Sequence, residues 1–341
     1  MAIAANTVTL ADYALMSNSP LVQAVTYSLI LYSNVLQDIP LMEKKSLIVN
    51  GTRFEGNLPS VNWSQLNAEG VTTKGTPTAY QEQAYIIRNY IDVDKFLVEE
   101  ENAIVDPRSV QTEAYLKALT YDMNYKFFKN DHVTGDVNAP VGLKYRITNG
   151  GTFGVRPENL INSSALDLSQ ATLTNGSGGQ YNGSKLLEFL DQLLWSVDAP
   201  DGNGVVLYMN EIMMRRFNLA MRSLGTSGGF EIVRDQFDRA VTQYKGAILR
   251  DPGYKSDQTT RVITTTETSD GTSDTSSTYT SIYAVNYSTD HFSGWQFNPP
   301  NVQDLGLIYN GAIYRTLIDW AIGYNNASTR SIGRLYGLKL S

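Results

Sequence analysis

The sequence predicts an α+β fold with parts that project from its body, on three observations. Residues Asp106 to Asp131 hold the longest uninterrupted helical pattern in the chain. Two strand-like runs flank residues 55–83, a stretch rich in Gly, Pro, Asn and Thr. From Ser184 onward, helix-like and strand-like segments alternate, the pattern of a mixed α and β domain.

Taken in order, the first 20 residues read as an arm with little core of its own. Pro20 to Val35 is amphipathic, with Leu21, Val25, Leu29 and Tyr32 on one face, and Pro40 ends it. Lys44 to Phe54 reads as a strand. Ala84 to Val98 reads as a second, because Tyr85, Ile87, Ile91 and Val93 alternate with Arg88, Asp92 and Asp94. A loop as long as the one between them, without a helix of its own, is usually functional or disordered. The unit is therefore expected to be a two-stranded arm with a tip centred on Asn67–Thr76. Isolated hairpins are marginal in water, so the arm needs something to lie on.

In the helix that follows, Asp106 is a good N-cap and Pro107 stands where a missing N–H costs nothing. At 1.5 Å per residue it spans roughly 36 Å. Val110, Ala114, Ala118, Tyr121, Tyr125 and Phe128 recur at three- and four-residue steps and are the expected core face. Leu116, Leu119, Met123 and Phe127 make a second apolar face, so the helix is expected to be sandwiched. A loop-rich stretch then runs to Gly183. Ser184 is expected to cap a helix through Val197, Gly204–Met209 to form a buried strand, and Asn210 to cap a helix that Gly225 stops. Short strands are expected around Gln243–Leu249. Of the 26 residues from Ser256 to Ser281, 16 are Ser or Thr, which reads as a polar loop or exposed hairpin tip. Ser281–Tyr287 returns to strand, and Leu307 to Leu340 is rich in alternating apolar residues. No internal repeat is visible.

Composition narrows the function classes. A length of 341 residues suggests about two domains. The net charge is −7, whereas a chain built to grip DNA phosphates is usually basic. There is no cysteine, so disulfides, thiolate nucleophiles and cysteine metal sites are excluded. The N-terminus lacks the basic region of a secretory signal, and no apolar run approaches the ~20 residues that span a membrane. The chain reads as soluble and cytosol-made.

Catalytic patterns are sparse. The two histidines, His132 and His291, read as solvated surface groups rather than metal ligands. Gly178-Gly179-Gln180-Tyr181-Asn182-Gly183-Ser184-Lys185 resembles a phosphate loop, but Ser and Lys are reversed and no apolar strand precedes it, so it reads as a flexible loop with a helix cap. Glu99-Glu100-Glu101 and Asp92/Asp94 read as solvated carboxylates rather than a glycosidase pair. Asp198 to Gly204 has calcium-loop residues without the twelve-residue spacing and reads as a tight turn. No catalytic residue, cofactor site or metal site is expected, and the chain is not expected to be an enzyme. Arms without a core of their own point to packing against copies of the same chain.

Several stretches resemble the major capsid proteins of tailed bacteriophages with the Hong Kong 97 fold. LADYALMSNSPLVQAVTYSLILYSNVLQDIPL resembles their N-terminal arm and first helix, and LPSVNWSQLNAEG their extended-loop segment. DVDKFLVEE running into DPRSVQTEAYLKAL resembles the strand and spine helix of the peripheral domain, and GLKYRIT the segment after the spine. GVVLYMNEIMMRRFNLAMRSLG and GGFEIVRDQFDRAVTQYKGAIL resemble the axial domain, while SIYAVNY and YRTLIDWAIGYNNASTRSIGRLYGL resemble the return to the core. The match runs over nearly the whole chain, and its specificity lies in many weak matches in the right order.

That resemblance implies an N-terminal arm over 1–43, an extended hairpin loop and the start of the peripheral domain over 44–98, and the peripheral domain with its spine helix over 99–141. It places an axial domain over 142–297, with its polar loop at 256–281, and a return through the peripheral domain over 298–341. It implies hexamers and pentamers closing into an icosahedral shell, in the virion, around double-stranded DNA held without sequence-specific binding. The shell would assemble in the host cytoplasm, with portal, scaffold or decoration proteins as further partners and no membrane. Contacts between subunits are expected at Leu66, Asn67, Glu69 and Lys74 on the arm tip and at Thr265, Thr266 and Asp270 on the polar loop. Some relatives crosslink through a Lys–Asn pair; Lys74 is not assigned that role. The alternatives are an encapsulin-like nanocompartment shell of the same fold and, from another class, a hydrolase or sugar-binding enzyme using a Tyr- and Asp-rich surface.

Overall fold

Two sheets meet along the long helix, and its side chains say why. The structure, a computed structural model, describes residues 29, 32–53, 58–99, 106–174, 176–224, 230–234, 240–275, 277–308 and 311–340. Expectations for residues 1–28, Phe54, Glu100, Glu101 and Gly225 lie outside the described residues.

Ser33 caps α1 (Asn34–Asp38), its hydroxyl accepting from the Leu36 N–H at 3.0 Å. Leu29, Val35, Leu36, Ile39 and Leu41 are all buried in the main core. The described part of the expected 1–43 arm is therefore core, because its apolar residues are too densely spaced to face water. Strand β1 (Leu41–Glu43) continues from it. Strands β2 (Ile48–Arg53) and β3 (Thr78–Gln83) form an antiparallel hairpin of their own, with Arg53 opposite Thr78. Strand β4 (Tyr85–Asp94) is not the arm's return strand, as expected, but pairs with β13 (Ile313–Asn326) from Asp94 to Tyr85. The sequence hides β3, because TAYQEQ carries little apolar alternation. Asp94 then caps a short helix, α2 (Lys95–Val98), where a strand was expected.

The long helix α3 spans Pro107–Lys129, with the Asp106 carboxylate accepting from the Arg108 N–H and Lys126 and Lys129 in its last turn, where the helix dipole favours cations. Its buried stripe is Leu116, Leu119, Thr120, Met123, Asn124, Phe127 and Phe128. This corrects the expected core face. Val110 is 46% exposed, Ala114 and Ala118 are exposed, Tyr121 and Tyr125 are half-buried, and Phe128 alone of that set is buried. Both faces satisfy the helical period; leucine, methionine and phenylalanine bury more apolar area than alanine and need no partner for a hydroxyl.

Helices α4 (Leu143–Thr148) and α5 (Gly150–Phe153) follow, then β5 (Leu160–Asn162) and α6 (Gln170–Leu173). Helix α7 spans Gly176–Ser196, so the phosphate-loop-like glycines lie within a helix and not in a flexible loop. Strand β6 (Val205–Tyr208) is buried throughout. The Asn210 side chain accepts from the Met213 N–H and starts α8 (Glu211–Leu224), whose Met213, Phe217, Ala220 and Met221 face inward at helical spacing. Strands β7 (Phe230–Arg234), β8 (Ala240–Tyr244), β9 (Ala247–Arg250), β10 (Tyr279–Asn286), β11 (Phe292–Gln296), β12 (Asn301–Ile308), β13 and β14 (Ile332–Lys339) complete the chain.

One sheet has the order β1-β11-β13-β12, with β4 also on β13; the other has the order β5-β14-β10-β6-β9-β8-β7. The expected boundary near residue 297 does not separate them, since β11 belongs to the first sheet and β14 to the second. Adjacent aromatics at the end of α3 bridge the two. Phe127 meets Phe292 and Tyr324 of the five-stranded sheet edge-on, while Phe128 meets Tyr208 and Tyr283 of the seven-stranded sheet. A second core lies on the far face of the seven-stranded sheet, under α7 and α8, and includes Leu190, Leu193, Phe217 and Leu335.

Candidate assembly surface

The β2–β3 hairpin has almost no buried side chains, so burial cannot hold it in place. Charge anchors it instead. On β2, the Arg53 guanidinium donates to the carbonyls of Phe153, Asn326 and Ala327 and lies 4.1 Å over the ring of Tyr80 on β3. On β3, Glu82 accepts from Arg146 of α4 through both oxygens, at 2.5 and 2.8 Å. Arg146 is buried and also donates to the Val141 carbonyl at 3.0 Å. Burial alone would lower its pKa, but Glu82 more than offsets this, so Arg146 stays charged. Gly51 lies opposite Tyr80, whose ring occupies the space a Cβ would need.

Beyond this root, residues 58–77 contain no helix or strand. They are nonetheless rich in bare apolar groups: Trp63 is 97% exposed, Leu66 93%, Val61 81% and Leu58 75%. Large apolar side chains exposed this close together in sequence make the tip a candidate interaction surface. Leu66, Asn67, Glu69 and Lys74 are all exposed on this tip, with Asn67 in the left-handed region at φ 65°. Trp63, Val61 and Leu58 were not in the expected contact set; a tryptophan in a polar, helix-free stretch was the signal for them. The Arg53, Glu82 and Arg146 anchors had no signal, since their partners are 64 to 274 positions away.

Thr265, Thr266 and Asp270 lie elsewhere. The Ser/Thr stretch is not a free tip: it folds back on the body, with Val262, Ile263 and Glu267 buried. Glu267 accepts from Lys129 of α3 at 2.7 Å and from Arg334 of β14 at 3.1 Å. Thr265 is half-buried, while Thr266 and Asp270 are exposed. The Asp270 carboxylate accepts from the Thr268 and Thr272 hydroxyls and the Thr272 N–H, and these bonds hold its pKa down to about 2.

Among the described residues no group of three or more His, Cys, Asp or Glu side chains could hold a metal ion. His132 bonds the Ala139 carbonyl at 2.8 Å and meets the Tyr85 ring edge-on. Asp198 pairs with Arg330 and Asp92 with Arg315. Another buried ion pair, Asp38 with Arg250, also takes the hydroxyl of Tyr208 and fixes α1 against the seven-stranded sheet. A groove of about 490 Å³ between β4 and α3 is lined by Tyr85, Asn89, Tyr115 and Asp122 among others.

Residues 22–166 match the family model described as Major capsid protein GP7. Solved structures similar to the whole chain include a chain of the holo-SrpI encapsulin complex from Synechococcus elongatus PCC 7942. It has a TM-score of 0.57 at 10% identity, over 96% of this chain and 94% of that one. The capsid of the native GTA particle gives 0.58 at 10% identity over 90% of both chains. The capsid of Myoviridae phage XM1 gives 0.55 at 12% identity, over 89% of this chain and 91% of that one. The chain has the Hong Kong 97 fold of these shell proteins. No curated protein matches it in sequence. The family-model match over 22–166 agrees with a structural role in a shell. Identities near a tenth leave the fold as the common property, so residue roles rest on the geometry above.

Proposed function

We propose that this chain is a structural capsid protein that forms hexamers and pentamers closing into an icosahedral shell around double-stranded DNA, with each subunit's arm lying on its neighbour. The shell would assemble in the host cytoplasm, with portal, scaffold or decoration proteins as further partners. The five-stranded sheet with α3 would take the peripheral position and the seven-stranded sheet with α7 and α8 the axial one. The observation that carries the proposal is Trp63, bare at the end of an arm whose root is fixed by two arginines. Leu66, Asn67, Glu69 and Lys74 would share that contact, and Thr266 and Asp270, with Thr265 behind them, would make a second. In a closed ring each contact is repeated in every subunit and all are held together, so modest contacts suffice.

The test replaces residues 54–77 with Asn-Gly. Arg53 pairs directly with Thr78, so a two-residue turn closes the hairpin in register. Thermal melting of the subunit should change little, while electron microscopy should show no closed particles. Normal shells from this deletion would refute the arm contact. A second reading, an encapsulin-like compartment, is favoured by the alignment over nearly all of the encapsulin chain. Particles from the native source with a nucleic-acid absorbance ratio at 260 and 280 nm support the DNA shell, and a protein ratio the compartment.

A further inference from the structure

One carboxylate ties three separate parts of the molecule together. Glu267, carried by the 264–275 loop, has no exposed surface. One oxygen accepts from Lys129 Nζ in the last turn of α3 at 2.7 Å. The other accepts from Arg334 Nη2 on β14 at 3.1 Å and from the Ser281 hydroxyl on β10. The loop is arranged to hold the group there. Its backbone bonds β10 through the Glu267 N–H and the Tyr279 carbonyl at 3.0 Å, and the Gly271 carbonyl accepts from Arg334 at 2.8 Å. Lys144 of α4 donates to the Thr272 carbonyl, and Asp274 gives Lys129 a second, outer partner at 3.2 Å.

Lys129, which holds the tie to α3, is one residue beyond the Phe127–Phe128 pair that packs on both sheets. Edge-on aromatic contacts are broad and non-directional compared with charge-assisted hydrogen bonds, so they tolerate some rotation of α3 against β10. The Glu267 bonds do not, because each is directional and has no water to replace it. A buried ion pair is a weak source of net stability, and specifying one arrangement is its better-attested use.

We propose that Glu267 is a pin that fixes the angle between the long helix and the seven-stranded sheet, and that the Ser/Thr-rich loop exists to carry it. In a shell, that angle sets how one subunit leans on the next, so the pin would also set particle size. This last step rests on the shell reading; the pin itself does not.

Hydrogen exchange on the full chain, as unassembled subunits, tests the pin. Glu267→Gln keeps the shape and removes the charge. Amides at 123–129, 332–336 and 264–275 should then exchange together, roughly tenfold faster or more. Lys129→Met leaves the Glu267–Arg334 pair intact and should release 123–129 but not 332–336. Asp274→Asn, on the exposed side, should release neither. Faster exchange confined to 264–275 in both Glu267→Gln and Lys129→Met would overturn the pin and leave Glu267 a local loop stabiliser. If Glu267→Gln fails to fold, the Lys129→Met result decides alone. Particle diameters by electron microscopy test the second step. Glu267→Gln shells should be heterogeneous beside uniform unmodified ones. Uniform shells of unchanged diameter would refute size control while the exchange data still judge the pin, and absence of particles from the unmodified chain would count against the shell reading instead.

Discussion

Replacing Glu82 by alanine should loosen the arm root, and the structure sets the size of the effect. The substitution leaves Arg146 buried with a single remaining acceptor, the Val141 carbonyl, and with Phe153 under its guanidinium at 5.3 Å. Two charge-assisted bonds, at 2.5 and 2.8 Å, disappear. Breaking a buried pair from one side costs about 3–5 kcal/mol. The Glu82 side chain keeps 12% of its surface, so some water reaches the site and the expected loss is near the low end, about 3 kcal/mol. For a domain whose whole stability is roughly 5–15 kcal/mol, that is a large fraction. Urea unfolding of unassembled subunits measures it. Replacing both partners, Glu82→Ala with Arg146→Met, should restore most of the loss, giving a coupling of roughly 2 kcal/mol or more in the double-mutant cycle. A single-mutant loss under about 1 kcal/mol with no coupling would show that the pair does not hold the arm, and that Arg53 carries the root alone.

Trp63→Ser, at a bare position, should leave subunit melting unchanged but weaken each arm contact by about 2–4 kcal/mol, read as a raised critical concentration for assembly; an unchanged critical concentration would remove Trp63 from the contact. Phe128→Ala should cost about 3–5 kcal/mol of subunit stability, whereas Val110→Ala should cost under about 1 kcal/mol; burial of both residues would make both substitutions costly. Acid should act through Glu267 and Asp274. Burial pushes the Glu267 carboxyl up, but Lys129 and Arg334 more than offset it and hold it below the usual range; Asp274 is lowered likewise by Lys129, the Thr264 hydroxyl and Lys144. Tyr283, Ser281 and Tyr336 complete the groups facing the cluster. Both carboxyls have depressed folded pKa values, so their contribution is full above about pH 4 and is lost as pH falls below it. Unfolding followed from pH 6 to 2 should show that loss in the unmodified chain and a flatter profile in Glu267→Gln.

The elements legible in the sequence are those that local rules specify. The Asp106–Pro107 start of α3, the Asn210 cap of α8 and the apolar run of β6 each follow from neighbours within a few positions. What was not legible depends on distant partners. Strand β3 has no apolar alternation, because neither face of the arm is buried by its own chain. The burial of Ser33 and of Val35 to Leu41 depends on Asn124, which accepts from Ser33, and on Arg250, which pairs with Asp38. The Ser/Thr stretch looked like a surface tip by composition. A single glutamate within it, matched to Lys129 and Arg334, decides otherwise, and no local pattern marks that match.

The arm's construction divides its work between two kinds of residue. At the root, the anchoring groups are arginines bonded to backbone carbonyls and one carboxylate, contacts that fix direction but bury little apolar area. At the tip, the large side chains Leu58, Val61, Trp63 and Leu66 are apolar and 75–97% exposed. A hairpin with the reverse arrangement, an apolar root and a polar tip, would be stable by itself and would have no reason to project. Here the root holds the direction while the tip's apolar surface stays in water, an unfavourable state for a single chain. In the assembly proposed above a second copy covers that surface, and because every copy carries the same directed arm, the relation between one copy and the next is repeated. A repeated, directed contact between identical chains closes into rings when its rotation allows, and runs on into open assemblies when it does not. The rigidity of the Arg53 and Glu82–Arg146 anchors thus bears on whether the assembly closes at all, which is why loosening the root should produce irregular particles even where the tip is left intact.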